Sequence, residues 1–295
     1  NQFLVKYTES IGSKYIIRGI RTEVDYTFER SIGYINRDMS PDIITIFLMP
    51  PRELSEISSS LVKGLIGPEG WEEVVEPYIS RPVYNKILEK YDGYFDNWCL
   101  LWEKLEVKGD PKKAYDKLRG LYCSKDRDYH NLVHIVHSLR EFSKVKDLTY
   151  NQNLVETAIW FHDSIYDTQD RKKEEKSAKL SNNLLKKAGL PINFIEAVSD
   201  MILSTKHKVI PDNEDAKLLV DIDLAILGKS EDEFNEYEKD IRDEYDWLDD
   251  DNFKKGRKEF VEGMLKRDYI YCTDVFKEKY ENQAQINLKQ SLNRL

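Results

Sequence analysis

All five histidines of this 295-residue chain fall between residues 130 and 207. The stretch "DYHNLVHIVHSLREF" sets His130, His134 and His137 at spacings of four and three, one face of a helix. "WFHDSIYD" puts His162 and Asp163 directly after the apolar run Ala158–Phe161. "STKHK" adds His207, and "LLVDIDLAILG" carries Asp221 and Asp223 inside an apolar helical pattern. Carboxylates in such surroundings are costly unless ionic partners satisfy them. A divalent cation shared between imidazole and carboxylate donors is the economical partner, and a mixed set leaves positions for water, as a hydrolytic centre requires. The plain alternative for the 130–137 face alone is a helix that displays histidine at its surface. Two adjacent residues such as His162 and Asp163 cannot fill a coordination sphere, so the metal reading rests on the combination.

The elements that must position these groups change character near residue 92. Before it, "KYIIRGI" (14–20) and "IITIFLM" (43–49) are short β-branched runs suited to buried parallel strands. "VDYTFERSIGYINRDM" between them reads as an amphipathic helix, Pro50-Pro51 closes the second strand, and "SSSLVKGLI" opens a helix with serine caps. Strand-helix-strand-helix order is the grammar of an α/β sheet. After residue 92 every segment carries helical spacing, including "LVETAIWFHDSIY" and "AKLLVDIDLAILG", with loops at Leu190-Pro191 and 208–215. The expected fold is therefore α/β plus all-α, with domains at 1–91 and 92–295.

Composition narrows the function classes. The chain is 40% hydrophobic and 34% charged, with net charge -9, which describes a globular protein and argues against broad nucleic-acid binding. No apolar stretch is long enough to span a bilayer, and no signal peptide is evident. Cys99, Cys123 and Cys272 lie far apart, as free thiols in a reducing compartment would, so a cytoplasmic location is expected. Trp160, Phe161 and Tyr166 read as a packing wall, and "DEYDWLDDDNF" as a solvated acidic loop without the glycine and spacing of an EF-hand.

The order His, His-Asp, Asp resembles the HD superfamily of metal-dependent phosphohydrolases. "YHNLVHI", "WFHDSIYD", "EEKSA", "ILSTKHK", "DIDLAILG" and "FKKGRKEFVEGMLKRDYIYCTDVF" are similar to one branch of it, over roughly residues 93–295. The resemblance implies a divalent ion (Mn, Fe, Mg or Zn) bound by His134, His162, Asp163 and an aspartate of "DIDL". Asp223 fits the superfamily position better, and Asp221 stays open beside it. It implies further that His130 and His207 complete a second metal site or bind a phosphate oxygen, with catalytic or supporting roles for Asp167 and Glu175. Asp163 then both ligates the ion and orients water, while His130 or His207 neutralises developing charge. Lys206 and Arg257 are candidate phosphate contacts, against the plain reading of solvated surface charges.

Residues 3–91, from "KYIIRGIRTEVDYTFERSIGYINRDMSPDIITIFLMPPRELSEISSSLVKGLI" onward, resemble the second half of phosphopantetheine adenylyltransferase, a Rossmann-like nucleotidyltransferase. The resemblance implies ATP contacts at Arg18, Gly19, Arg21, Glu29, Ser58, Ser59 and Ser60, and a pantetheine-pocket position at Asn36. Arginines after a strand and serines at a helix start suit polyphosphate. The family's Thr/His-x-Gly-His loop has no counterpart, and no histidine precedes His130. The chain opens on Asn1 in what reads as mid-helix, so upstream residues are expected, and adenylyl transfer is expected only from a complete domain. The expected partners are a phosphorylated small molecule or nucleotide, ATP at the first domain and further copies of the chain; nucleic acid and membrane are not expected.

Overall fold

The computed structural model describes residues 3–51, 55, 57–66, 71–80, 83–84, 86–87, 94–124 and 126–295. Its contacts divide it into two compact units, Asn1–Tyr84 and Asn85–Leu295. The expected boundary at 91/92 falls outside the described residues.

The first unit runs α1 (Leu4–Ser10), β1 (Tyr15–Gly19), α2 (Glu23–Met39), β2 (Ile44–Leu48), α3 (Ser59–Leu65) and α4 (Trp71–Val75). β1 and β2 pair in parallel, with Tyr15 opposite Ile44, Ile17 opposite Ile46 and Gly19 opposite Leu48. A parallel pair needs a crossover, and α2 supplies it. Thr22 starts that helix by accepting the Asp25 N–H at 3.1 Å. Ile16 packs with Val5, Ile43 and Met39 into a small core. Among the described residues of this unit the other face of the pair is uncovered. Tyr15, Ile17, Ile44 and Leu48 are each more than half exposed. These runs read as suited to buried parallel strands, and among the described residues one face of the pair is covered. Continuous β-branched runs record a strand that can be buried on both sides, not one that is.

The second unit is helical throughout its described residues. It comprises α5 (Tyr94–Lys104), α6 (Pro111–Tyr122), α7 (Leu132–Val145), α8 (Gln152–Phe161), α9 (Lys173–Lys187) and α10 (Ile192–Ser204). Then come α11 (Glu214–Asp223), a 3-10 segment at Leu224–Gly228, α12 (Glu231–Glu244), α13 (Asp250–Leu265), a π turn at Lys277–Glu281 and α14 (Asn282–Arg294). Trp160 and Phe161 pack on Trp98, at 5.4 and 6.2 Å between ring centroids, and Trp98 lies 4.7 Å from Trp102 with the rings tilted by 33°. Those two side chains are a packing wall. α7, α8 and α11 pack against one another and carry the residues singled out above. The helical pattern through Tyr166 overshoots: α8 stops at Phe161, so His162 and Asp163 stand at its end. None of the described helices is long and apolar enough to cross a membrane.

Candidate metal centre

His134 sits in the first turn of α7, His162 and Asp163 just past α8, and Asp223 at the last position of α11. One donor atom from each lies within 4.8 Å of all the others. The two Nε2 atoms are 3.0 Å apart. His134 Nε2 is 3.3 Å from Asp223 Oδ1 and 3.7 Å from Asp163 Oδ2. His162 Nε2 is 3.3 Å from Asp163 Oδ2 and 3.5 Å from Asp223 Oδ1. Donors ~2.1 Å from one ion are ~3.0 Å apart at right angles and ~3.4 Å apart at tetrahedral angles, so the spacing fits a shared cation. The donor chemistry fits as well: two imidazoles and two carboxylates suit a borderline divalent ion.

The supporting contacts orient these donors. His162 Nδ1 lies 2.8 Å from the Ile159 carbonyl, which places the proton there and leaves Nε2 to the cluster. Burial opposes the charged form of His162, yet the Asp163 and Asp223 carboxylates overcome it and raise its pKa to about 9. Burial lowers the His134 pKa in spite of Asp223. Burial also opposes ionisation of Asp223, but hydrogen bonds from His134, His162 and His207 hold it well below the carboxylate range. Near neutral pH the cluster therefore keeps a proton on His162, which an incoming cation must displace.

The two aspartates of "DIDL" separate cleanly. Asp223 joins the donor group. Asp221 is fully buried and turned away, its oxygens accepting the Cys272 and Thr273 N–H groups at 2.6 and 2.7 Å and the Thr273 hydroxyl at 2.6 Å. Successive helix positions project about 100° apart, so residues two apart cannot share a face. His137 is half-buried and lies outside the donor group.

Two histidines flank the donors. His207 Nε2 lies 2.9 Å from Asp223 Oδ2, and its buried Nδ1 has no hydrogen-bond partner among the described residues. Its backbone holds φ 53°, a costly conformation for a residue with a Cβ, pinned by Arg267 bonding the His207 carbonyl. His130 is fixed by Glu244: one carboxylate oxygen accepts the Tyr129 and His130 N–H groups at 2.9 and 2.7 Å, and the other meets Nδ1 at 2.7 Å. The His130 ring stacks on Tyr166 at 3.9 Å. Arg127, 8% exposed, bonds the carbonyls of His130, Asp163 and Ser164, tying both sides of the site together.

Glu244 belongs to the stretch read as a solvated acidic loop, and the structure corrects that reading. Phe234, Tyr237, Ile241 and Glu244 form the buried face of α12, a spacing of three, four and three visible in the sequence. Asp249 and Asp250 of the same stretch are surface groups, one capping α13 and one pairing with Arg242. Arg127 left no periodic signal.

His130, Asp163, His207 and Asp223 open onto a cleft of about 670 Å³. Lys206 lines it, paired with Glu175. Arg257 also lines it, but it is neither solvated nor free: it is buried and bonds Glu238 and the Tyr237 hydroxyl, the latter at 3.0 Å. Asp167 and Glu175 are exposed and outside the lining; Asp167 accepts the Gln169 N–H at 2.9 Å in a local turn.

In the first unit, Arg18 pairs with Glu29, and Gly19 follows at the end of β1. Arg21 bonds Asp25 and the Ile57 carbonyl, both at 3.1 Å, beside the start of α3, where Ser58 caps the helix and Ser59 and Ser60 are exposed. Asn36 is buried on α2. The arginine turn and the serine helix start thus meet.

No family model matches the chain. Its N-terminal ~90 residues match phosphopantetheine adenylyltransferases. That of Chromobacterium violaceum is 59% identical over 91 residues, covering 31% of this chain and 56% of the relative. That of Neisseria meningitidis serogroup C is 52% identical over 91 residues, covering 31% and 54%. That of Desulfitobacterium hafniense is 36% identical over 89 residues, covering 30% and 55%. The chain spans about half the length of the curated relatives it matches.

Proposed function

We propose that the helical unit is a metal-dependent phosphohydrolase of the HD type, acting on a phosphorylated small molecule or nucleotide. The observation that carries this reading is the convergence of His134, His162, Asp163 and Asp223 within 4.8 Å beside a cleft that also presents Lys206, His207 and Lys208. A divalent ion held there supplies Lewis acidity, activating water near neutral pH and polarising a phosphoryl oxygen. The chain's own residues do the rest. Asp163 and Asp223 fix the charge of the site, and Ile159 holds His162 in the ligating tautomer. Glu244 aims His130 towards the cleft, where it stabilises charge on the phosphoryl group, and His207 steadies the outer oxygen of Asp223.

The test is metal analysis of the purified chain followed by assays on a phosphomonoester panel with Mn, Fe, Mg or Zn. Asp163→Ala is expected to abolish metal content and hydrolysis together while helical circular dichroism is kept. Full hydrolysis by metal-free Asp163→Ala protein defeats the reading.

A second reading concerns the first unit and rests on its match to adenylyltransferases. Arg18, Gly19, Arg21, Glu29 and Ser58–Ser60 form an ATP-contacting edge, with Asn36 towards a pantetheine-type ligand. Adenylyl transfer to 4′-phosphopantetheine belongs to a domain of the relatives' full length. Calorimetry with ATP on the natural full-length protein tests this, and no ATP binding leaves the unit a role in assembly.

A further inference from the structure

We propose that Arg127 is a positioning residue that sets the cleft-facing His130 and the metal-facing Asp163 in register, through the planar fork of its guanidinium and not through its charge alone. The proposal rests on the phosphohydrolase reading and adds to it a residue outside the donor group, acting through two residues of the site.

Arg127 is 8% exposed, and among the described residues it makes no salt bridge. Its hydrogen bonds go to main-chain carbonyls instead. Nη1 bonds the His130 carbonyl at 3.0 Å and the Asp163 carbonyl at 2.7 Å, and Nη2 bonds the Ser164 carbonyl at 3.0 Å. A buried cation without an anion is costly, and packing alone is served better by an apolar side chain of similar volume. The three acceptors show what the cation is for. α8 stops at Phe161, so the Asp163 and Ser164 carbonyls lie past a helix end, where acceptors lack partners within the helix. The His130 carbonyl lies just before Asn131, which caps the start of α7. A single nitrogen, Nη1, therefore joins the entry of one ligand-bearing helix to the exit of the other.

Pinning a carbonyl fixes the direction in which its own side chain leaves the backbone. At Asp163 this holds Oδ2 at 3.3 Å from His162 Nε2 and 3.7 Å from His134 Nε2. At His130 it acts together with Glu244, which meets the ring at Nδ1. A second route runs through aromatic rings. The guanidinium carbon lies 5.9 Å from the centre of the Tyr166 ring, on which His130 stacks at 3.9 Å. It lies 5.2 Å from the Tyr122 ring, whose hydroxyl bonds the Trp160 carbonyl of α8 at 3.1 Å. Arg127 thus reaches His130 and α8 by two paths each. A lysine ammonium keeps the charge but is a point, without the fork that meets two segments at once.

The experiment uses the full chain. Manganese is titrated into metal-free protein and followed by the electron paramagnetic resonance of the free ion, and kcat and KM are measured on p-nitrophenyl phosphate at saturating manganese. Arg127→Lys is expected to keep its helical circular dichroism, to bind manganese ~10-fold more weakly, and to lose kcat ~10-fold or more while KM changes less than ~3-fold. In a His130→Ala background the same substitution is expected to lower kcat less than ~3-fold, because the group it positions is gone. Millimolar methylguanidinium is expected to raise kcat of Arg127→Ala ~10-fold or more and to leave wild type unchanged. Wild-type manganese affinity and kcat in Arg127→Lys, equal kcat losses in both backgrounds, or no gain with methylguanidinium overturn the positioning role alone. Loss of helical circular dichroism in Arg127→Lys makes the residue structural and overturns it too. A wild-type chain that binds no manganese and hydrolyses no phosphomonoester overturns the phosphohydrolase reading, and the positioning role with it.

Discussion

Replacing Glu141 by glutamine tests whether the helices that deliver His134 and Asp223 are held together electrostatically. Glu141 lies on α7, one turn and more beyond His134, with its side chain 5% exposed. Its carboxylate meets Lys229 Nζ at 2.6 Å, just after the 3-10 segment that continues from Asp223, and the Tyr280 hydroxyl at 2.8 Å. Lys144 and Lys279 stand at 3.2 and 3.3 Å. Burial raises the carboxyl's pKa, but Lys229, Tyr280 and Lys144 outweigh it and bring the value from 4.5 down to about 2. That difference corresponds to about 3 kcal/mol. Lys144 and Lys279 are each 46% exposed, so water screens part of the attraction and about 2 kcal/mol is the expected net. The sign follows from the folded value lying below the unfolded one. The stabilisation is complete above about pH 4.5 and is lost as pH falls towards 2. Urea unfolding of wild type and Glu141→Gln, followed by tryptophan fluorescence in chelator, should show a deficit of about 2 kcal/mol at pH 7 that shrinks to under about 1 kcal/mol at pH 3. A deficit equal at both values, or none at pH 7, refutes the argument.

Asp223→Ala should remove bound metal. Asp221→Ala should instead cost about 2–3 kcal/mol, because three buried donors lose a charged acceptor; metal analysis beside thermal melts separates the two. Glu244→Gln should keep metal content but lower kcat on a phosphomonoester about 10-fold, since His130 loses the carboxylate that orients it. Gly228→Ala should destabilise by about 3 kcal/mol or more in denaturant titrations, because its methyl group has no room beside Tyr280 and Tyr271.

The division into a strand-bearing start and a helical remainder was readable from period and residue type, since hydrophobic spacing reports on which face is buried. Thr22 and Ser58 cap helices as their residue types suggest. The donors His134, His162 and Asp163 stood out because charged groups beside an apolar run need partners. Choosing between Asp221 and Asp223 was beyond spacing alone: both sit in one apolar helix, and only the chain's return through Cys272 and Thr273, some fifty residues later, decides which carboxylate is already used. Arg127 was hidden for the same reason, whereas Glu244 continued the spacing of Phe234, Tyr237 and Ile241 and was masked by the acidic composition around it. Each acts on residues brought near by tertiary packing, and a surface-like local sequence does not announce a buried partner. The α8 end was overshot because the apolar pattern runs on into Tyr166, whereas the chain leaves the helix at Phe161 and turns His162 and Asp163 inward.

The small core of the first unit, as far as its residues are described, has a consequence for local opening. Two paired strands resting on Val5, Ile16, Ile43 and Met39 have little to lose when they separate, whereas α7, α8 and α11 share a continuous apolar interior. Stability is therefore distributed unevenly along the chain. Backbone amides of β1 and β2 are expected to exchange with solvent through local openings, and those at Ile159 and Phe161 only on cooperative loss of the helical unit, which hydrogen-exchange mass spectrometry checks. The two units are expected to open as separate foldons, so the unfolding free energies predicted above are those of the helical unit.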